Sequence, residues 1–215
     1  MIKIDSLAVS DISDSVSEHN VHDEYKSLTI PERRTICASD ALPYEVVILN
    51  VTGELNVGNI IRSASLCGAT RVRVLGRRKY DKRGTVGAEN YIDVIRETFV
   101  SENDPLKLQC DNIFTYFEEN NLFPIFVEQY DNLCLKVTND NLDLVLHSIQ
   151  DHGYTPIVVF GNENRGIPFE LIAMYMQPYV WELNQRGVIR SFNVGSTAAI
   201  VLYKIMETFL LRRVL

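Results

Sequence analysis

Three loops in this sequence carry side chains able to do chemistry. In LNVGNIIRSASLCG, Arg62 falls in the apolar stripe of a stretch that reads as a helix, with Asn56 and Gly58 ahead of it at the spacing N-x-G-x-x-x-R. An unpaired guanidinium is expensive to bury, so Arg62 should face a cleft and meet a carboxylate or a phosphate. A second loop, GNENRGIP, crowds Asn162, Glu163, Asn164 and Arg165 at the end of an apolar run, between glycines that permit close backbone approach. In the third, NQRGVIRSFNVGS, Ser191 and Asn193 stand just before the last helix, where an N-cap is needed and no catalysis is required. Basic residues also cluster: Arg71, Arg73, Arg77, Arg78, Lys79, Lys82 and Arg83 are seven of the 21 in the chain. This run suits either a local phosphate-binding patch or a solvated loop after a strand.

The elements that position these loops alternate in type. Strands are expected at Val46–Asn50, Arg71–Leu75, Phe123–Val127, Ile157–Phe160 and Tyr179–Leu183. Helices are expected at Gly58–Cys67, Leu106–Glu119, Leu142–Ile149, Pro168–Tyr175 and Val194–Arg213. Runs such as PIVVF are apolar throughout, as strands covered on both sides should be. The fold class is therefore α/β, a mostly parallel sheet with helices on both faces. Residues 1–40 are polar and weakly periodic and read as an extension with room for one short helix, while residues 41–215 form the main domain. Ligands of open parallel sheets gather at the carboxyl ends of strands, which is where the three loops fall.

Composition narrows the function. A net charge of −7 argues against a globally basic nucleic-acid binder. Apolar runs such as Ile157–Phe160 and Ala198–Tyr203 are too short for a membrane span. The first ten residues have no pattern of an export signal, so the expected compartment is the cytoplasm. Four scattered cysteines form no C-x-x-C pair, and four histidines lack a ligand pattern, so no metal is expected. Neither G-x-G-x-x-G after the first strand nor G-x-x-x-x-G-K-[ST] is present, which removes the best support for a dinucleotide oxidoreductase or a P-loop NTPase.

Taken in order, N-x-G-x-x-x-R (Asn56, Gly58, Arg62), G-x-E-x-x-G (Gly161, Glu163, Gly166) and S-x-N-V (Ser191, Asn193, Val194) resemble the three motifs of the SpoU (TrmH) branch of the SPOUT RNA methyltransferases. The resemblance covers about residues 44–213 and includes GATRVRVLG and STAAIVLYKI. It implies a C-terminal deep trefoil knot, an exception to unknotted topology, and a cleft for S-adenosylmethionine. Gly161, Leu183 and Phe192 would contact that cofactor, with Gly187, Val188 and Ile189 in the surrounding loop. Phe192 stands where the family usually has Leu, and Asn184 where Pro is common, which implies a remodelled rim.

The implied reaction is methyl transfer to a ribose 2′-hydroxyl of structured RNA, with tRNA favoured over rRNA because GVIRSFNV resembles the loop of tRNA-modifying members. Arg62, Asn56, Glu163, Asn193 and Ser191 would be the catalytic set. An arginine is protonated at all working pH values, so a phosphate-binding and alkoxide-stabilising role fits it better than that of a base. Glu163 would pair with Arg62 and orient it, although a plain salt bridge to Glu163 or Glu54 would account for Arg62 as well. Arg71, Arg77, Arg78, Lys79, Lys82 and Arg83 would contact RNA phosphates. A homodimer with shared active sites is also implied. Two other functions stay open: a non-catalytic RNA-binding or assembly protein with the same fold, and a methyltransferase for a protein or small molecule.

Overall fold

Alternating side chains on continuous apolar strands build a sheet that is buried on both faces. The computed structural model describes residues 20–49, 52–76, 79–101, 103–130 and 134–212. After a 3-10 turn at Asp23–Tyr25 come α1 (Ile30–Ser39), β1 (Leu42–Leu49), α2 (Glu54–Leu66), β2 (Ala69–Leu75) and the single turn α3 (Lys82–Thr85). A 3-10 turn at Ala88–Asn90 leads to β3 (Asp93–Glu97), α4 (Leu106–Glu119), β4 (Leu122–Val127), β5 (Leu135–Val137) and α5 (Leu142–Asp151). The chain then runs through β6 (Thr155–Phe160), α6 (Phe169–Ile172), β7 (Tyr179–Trp181) and α7 (Val194–Arg212). All seven strands are parallel, in the order β3-β2-β1-β6-β4-β7-β5.

The period-2 pattern of strands sorts the core into two layers. Val46, Ile48, Val72, Val158 and Phe160 face α2, α5 and α7, while Val47, Leu49, Ile157 and Val159 face α4 and α6. The α/β expectation holds. Helix α4 has the bounds read from the sequence; α7 runs from the expected Val194 to Arg212, and Arg213 lies outside the described residues. Several bounds differ from the reading: β1 starts at Leu42 and not Val46, α2 at Glu54 and not Gly58, and β7 ends at Trp181 and not Leu183. Helix α6 stops at Ile172 and not Tyr175, because the chain turns so that Tyr175 buries itself among Phe114, Phe123 and Phe126. Strands β3 and β5 were not anticipated: one carries Asp93, Arg96 and Glu97, the other is three residues long, and both lie at sheet edges. Helix α7 is 19 residues long with a mean hydropathy of 1.4, enough by length and composition to cross a bilayer. Its Ala198, Val201, Leu202, Ile205 and Phe209 instead pack into the protein core.

Within the polar N-terminal stretch, α1 begins at a capping box: the Glu32 carboxylate accepts from the Thr29 N–H at 2.8 Å and its hydroxyl at 2.7 Å. The buried guanidinium of Arg33 donates to the carbonyls of Tyr25 (2.8 Å) and Lys26 (2.7 Å) and to the Tyr91 hydroxyl (3.4 Å). That side chain ties α1 and the turn before it to the rest of the fold.

Candidate functional site

The site is built at the carboxyl end of the sheet by a hydrogen-bonded chain of side chains. The turn after β6 is closed by an antiparallel bridge between Asn162 and Gly166. Within it the Asn162 Oδ1 accepts from the backbone N–H groups of Asn164 (2.9 Å) and Arg165 (3.0 Å). Both glycines of the loop are sterically required. A Cβ on Gly161 would lie 2.5 Å from the Gly166 carbonyl carbon, and Gly166 has φ +64° with the Glu128 carboxylate against it.

This turn aims Glu163 at the start of α2. Its Oε2 accepts from the Thr52 N–H (2.8 Å) and hydroxyl (2.9 Å), and its Oε1 from the Gly53 N–H (2.9 Å) and the Asn56 amide (2.9 Å). The carboxylate thus takes up donors that the first turn of a helix leaves without partners. Partial burial by itself would raise its pKa; the bonds from Asn56, Thr52 and Gly53 outweigh that and hold Glu163 at about 2. The chain continues from α2 to α7. Asn193 donates to the Asn56 Oδ1 at 3.1 Å, while its own Oδ1 accepts from the N–H groups of Gly195 (2.9 Å) and Ser196 (3.4 Å), capping α7. One continuous network therefore joins the three sequence motifs. Gly58 acts as a packing residue on the far side of α2, where a Cβ would lie 2.8 Å from the Asp81 carbonyl oxygen and from the Gly84 Cα.

Beside this network lies a cleft of about 670 Å³ whose lining includes Gly161, Glu163, Leu183, Ser191, Phe192 and Asn193. Trp181 and the loop Glu128–Tyr130 complete its walls. Glu128 was missed from the sequence, although its place directly after an expected strand is the kind of position that gathers ligands. Its carboxylate accepts from the Ile167 N–H at 2.8 Å and the Gln129 N–H at 2.9 Å. Thr52 and Gly53 were missed as well, because they act through backbone donors that no motif displays.

Other expected residues fall elsewhere. Glu163 does not pair with Arg62: its lone pairs are taken by the α2 donors, and Arg62 is exposed with no side-chain partner, from Glu54 either, among the described residues. Two turns into α2, Arg62 lines no part of the cleft. Gly187, Val188 and Ile189 do not line it either; they lie in an irregular segment, with Val188 fully exposed, and pair with no strand among the described residues.

The basic run also divides. Arg71 is held by Asp93 (2.7 Å) and Glu45 (3.5 Å), and buried Arg73 by Glu45 (2.6 Å) and the Tyr116 hydroxyl (2.5 Å). These two cross-link β1, β2, β3 and α4 and are not free for phosphates. Arg77 and Arg78 lie outside the described residues. Lys79 and Lys82 are exposed, and exposed Arg83 donates to Asp81. Among the described residues no group of three or more His, Cys, Asp or Glu side chains could hold a metal ion.

Fold and site together define a parallel α/β protein whose ligand cleft forms where the loops after β1 and β6 meet the start of the last helix. The sequence profile of the SpoU rRNA Methylase family matches residues 43–203, and the chain belongs to that family, within the SPOUT methyltransferases. Solved structures share the fold. The Aquifex (A. aeolicus) TrmH/SpoU tRNA modifying enzyme aligns with a TM-score of 0.60 at 15% identity over 86% of each chain. The SpoU methyltransferase AviRb from Streptomyces viridochromogenes, in complex with AdoMet, aligns with a TM-score of 0.57 at 19% identity over 80% of this chain and 58% of that one. An AdoMet-bound rRNA methyltransferase from Sinorhizobium meliloti aligns at 0.53 and 18% identity over 79% of this chain and 59% of that one. The chain thus spans under two thirds of the length of these last two. No curated protein matches it.

Proposed function

We propose that this protein transfers a methyl group from S-adenosylmethionine to a ribose 2′-hydroxyl of structured RNA, with tRNA the first substrate class to test and rRNA the second. The observation that carries the reading is the unbroken link Glu163–Asn56–Asn193 along the cleft. It fixes the starts of two helices beside a cavity whose volume suits a small cofactor. The residues fit that cofactor: Trp181, Leu183 and Phe192 offer apolar surface for an uncharged adenine, and Gly161 brings no side chain to the wall it lines. When bound, S-adenosylmethionine supplies an electrophilic methyl group. Glu163, Asn56 and Asn193 position the loops, and the free Ser191 hydroxyl is available to a substrate. Arg62 binds a phosphate next to the target ribose and stabilises the charge developing on the 2′-oxygen, whose proton leaves to a phosphate oxygen or a water. Lys79, Lys82 and Arg83, with Arg77 and Arg78, extend the phosphate contact.

An exposed Arg62 reaches a reacting group through a second subunit. Leu55, Arg62 and Leu66 share one exposed face of α2, and Ile200, Tyr203 and Leu210 share one face of α7, which packs against α2. A homodimer through these apolar faces sets each Arg62 at the seam, where the neighbouring cleft supplies the rest of the site. The family's trefoil knot belongs to the same proposal, as does a cytoplasmic setting, which suits the free thiols of Cys37, Cys67 and Cys110.

The test is incubation with methyl-labelled S-adenosylmethionine and separated tRNA and rRNA fractions, in parallel with Arg62→Ala. The expected result is label in RNA as an alkali-resistant linkage, with turnover falling about 100-fold or more in the variant while cofactor binding persists. Equal turnover in the variant removes Arg62 from the mechanism. Cofactor-free RNA binding without turnover favours the non-catalytic reading.

A further inference from the structure

Four charged side chains line the cofactor cleft: Glu128, Glu163, Arg165 and Arg190. Glu163 is filled by its four donors, and the other three keep capacity for a ligand. Glu128 accepts one backbone N–H on each oxygen, from Gln129 at 2.9 Å and from Ile167 at 2.8 Å. These bonds fix the carboxylate on the wall and leave each oxygen room for another donor. Among the described residues no cation pairs with it, and the guanidiniums of Arg165 and Arg190 have no hydrogen-bond or ion-pair partner. Both arginines nevertheless flank Glu128. Arg165 precedes Gly166, where a Cβ would meet the Glu128 carboxylate. The Arg190 carbonyl accepts from the side-chain amide of Gln129, the residue after Glu128, at 3.3 Å. Opposite charges thus gather around one wall without neutralising one another.

We infer that Glu128 and Arg190 hold the amino-acid end of the cofactor, the Glu128 carboxylate accepting from its α-ammonium and the Arg190 guanidinium donating to its α-carboxylate. The inference rests on S-adenosylmethionine as the cofactor and deepens that reading, because Trp181, Leu183 and Phe192 account for the adenine alone. An α-amino acid carries both charges on one carbon, so its complement is a carboxylate and a guanidinium that are not already paired. A ligand that fills the cleft without an ammonium strips water from Glu128 and returns no donor, which makes the same carboxylate a filter against it. Arg190 takes the second contact in preference to Arg165, since Arg165 also lines a neighbouring cavity and Arg190 lines this cleft alone.

The experiment is isothermal titration of the full chain with two ligands, without RNA or turnover. S-Adenosylhomocysteine carries the amino-acid end; 5′-methylthioadenosine keeps the adenosine and lacks it. The unaltered chain should prefer the first by about 100-fold or more. Glu128→Gln and Arg190→Ala should each weaken S-adenosylhomocysteine by about 10-fold or more, while 5′-methylthioadenosine stays within about 2-fold. Decarboxylated S-adenosylhomocysteine, which retains the amine, should respond to Glu128→Gln and be indifferent to Arg190→Ala. The Arg190 side chain bonds nothing in the fold, so that variant keeps the test open even where Glu128→Gln loosens the turn. An equal loss for both ligands reduces Glu128 to a brace of the turn and overturns the inference. An unchanged preference in either variant, or a loss carried by Arg165→Ala in place of Arg190→Ala, overturns it too. Binding of both ligands with no preference in the unaltered chain sinks the inference alone, while binding of neither sinks the cofactor reading beneath it.

Discussion

Glu163→Gln keeps the length of the side chain and exchanges one carboxylate oxygen for an amide nitrogen. Because each oxygen accepts two donors, either orientation of the new amide turns its N–H groups toward N–H groups: those of Gly53 and Asn56, or that of Thr52, whose hydroxyl alone can turn to accept. The carboxyl titrates at about 2 in the fold against an ordinary 4.5. A gap of that size is worth about 3 kcal/mol by linkage, reduced to about 1–3 kcal/mol by partial solvent access. Since the native value lies below the unfolded one, the stabilisation is complete above about pH 4.5 and is lost as the pH falls through about 2. Urea denaturation of both proteins at pH 7 and at pH 3 measures it. The variant should be less stable by about 1–3 kcal/mol at pH 7, a drop in melting temperature of roughly 3–10 °C for a domain of this size. At pH 3 less than half of that difference should remain. A difference under about 0.5 kcal/mol at pH 7, within the ordinary range of surface substitutions, or one equally large at pH 3, refutes the assignment of Glu163 as the ionised clamp of these loops.

Other substitutions probe neighbouring links. Gly58→Ala would ordinarily gain about 0.5–1 kcal/mol of helix propensity, but its Cβ meets backbone atoms at 2.8 Å; a net loss of about 1–3 kcal/mol is expected in thermal melts. Asn193→Ala removes both the α7 cap and the bond to Asn56 and should cost about 1 kcal/mol, read by the same melts. Leu66→Glu combined with Tyr203→Glu puts charge on the exposed apolar faces of α2 and α7; sedimentation should report a monomer where the unaltered chain gives a dimer, with the fold intact by circular dichroism.

How much was legible depended on how each signal is encoded. Long apolar runs such as Thr155–Phe160 and the helical period of Leu106–Glu119 declare themselves, because burial on both faces or on one stripe dictates residue type. Edge strands do not: Asp93–Glu97 sets half-buried Val94 and Ile95 between charged residues with no period of two, and Asp93 serves Arg71 and Arg34 on neighbouring elements. The start of α1 carries a capping signature in Thr29, Pro31 and Glu32, but the reading of residues 1–40 as a polar extension with room for one short helix passed over it. For the site, Glu163, Asn56 and Asn193 were read as one constellation, but the partner of Glu163 was read as Arg62. Opposite charge makes that pairing the natural guess, and only coordinates reveal four donors nearer at hand.

By itself the sequence determined the α/β class and the end of the sheet that carries chemistry, because apolar periodicity and glycine placement are local consequences of what each residue must bury or permit; the resemblance of its motifs added Glu163, Asn56 and Asn193 as neighbours there. Tertiary structure alone decided which donors hold Glu163, that Arg71 and Arg73 brace the sheet, and that Arg62 points to solvent. Hydrogen bonding and charge pairing depend on a few ångströms between segments that lie from 22 residues apart, as Arg71 and Asp93 do, to 111, as Thr52 and Glu163 do, and no spacing along the chain records that distance.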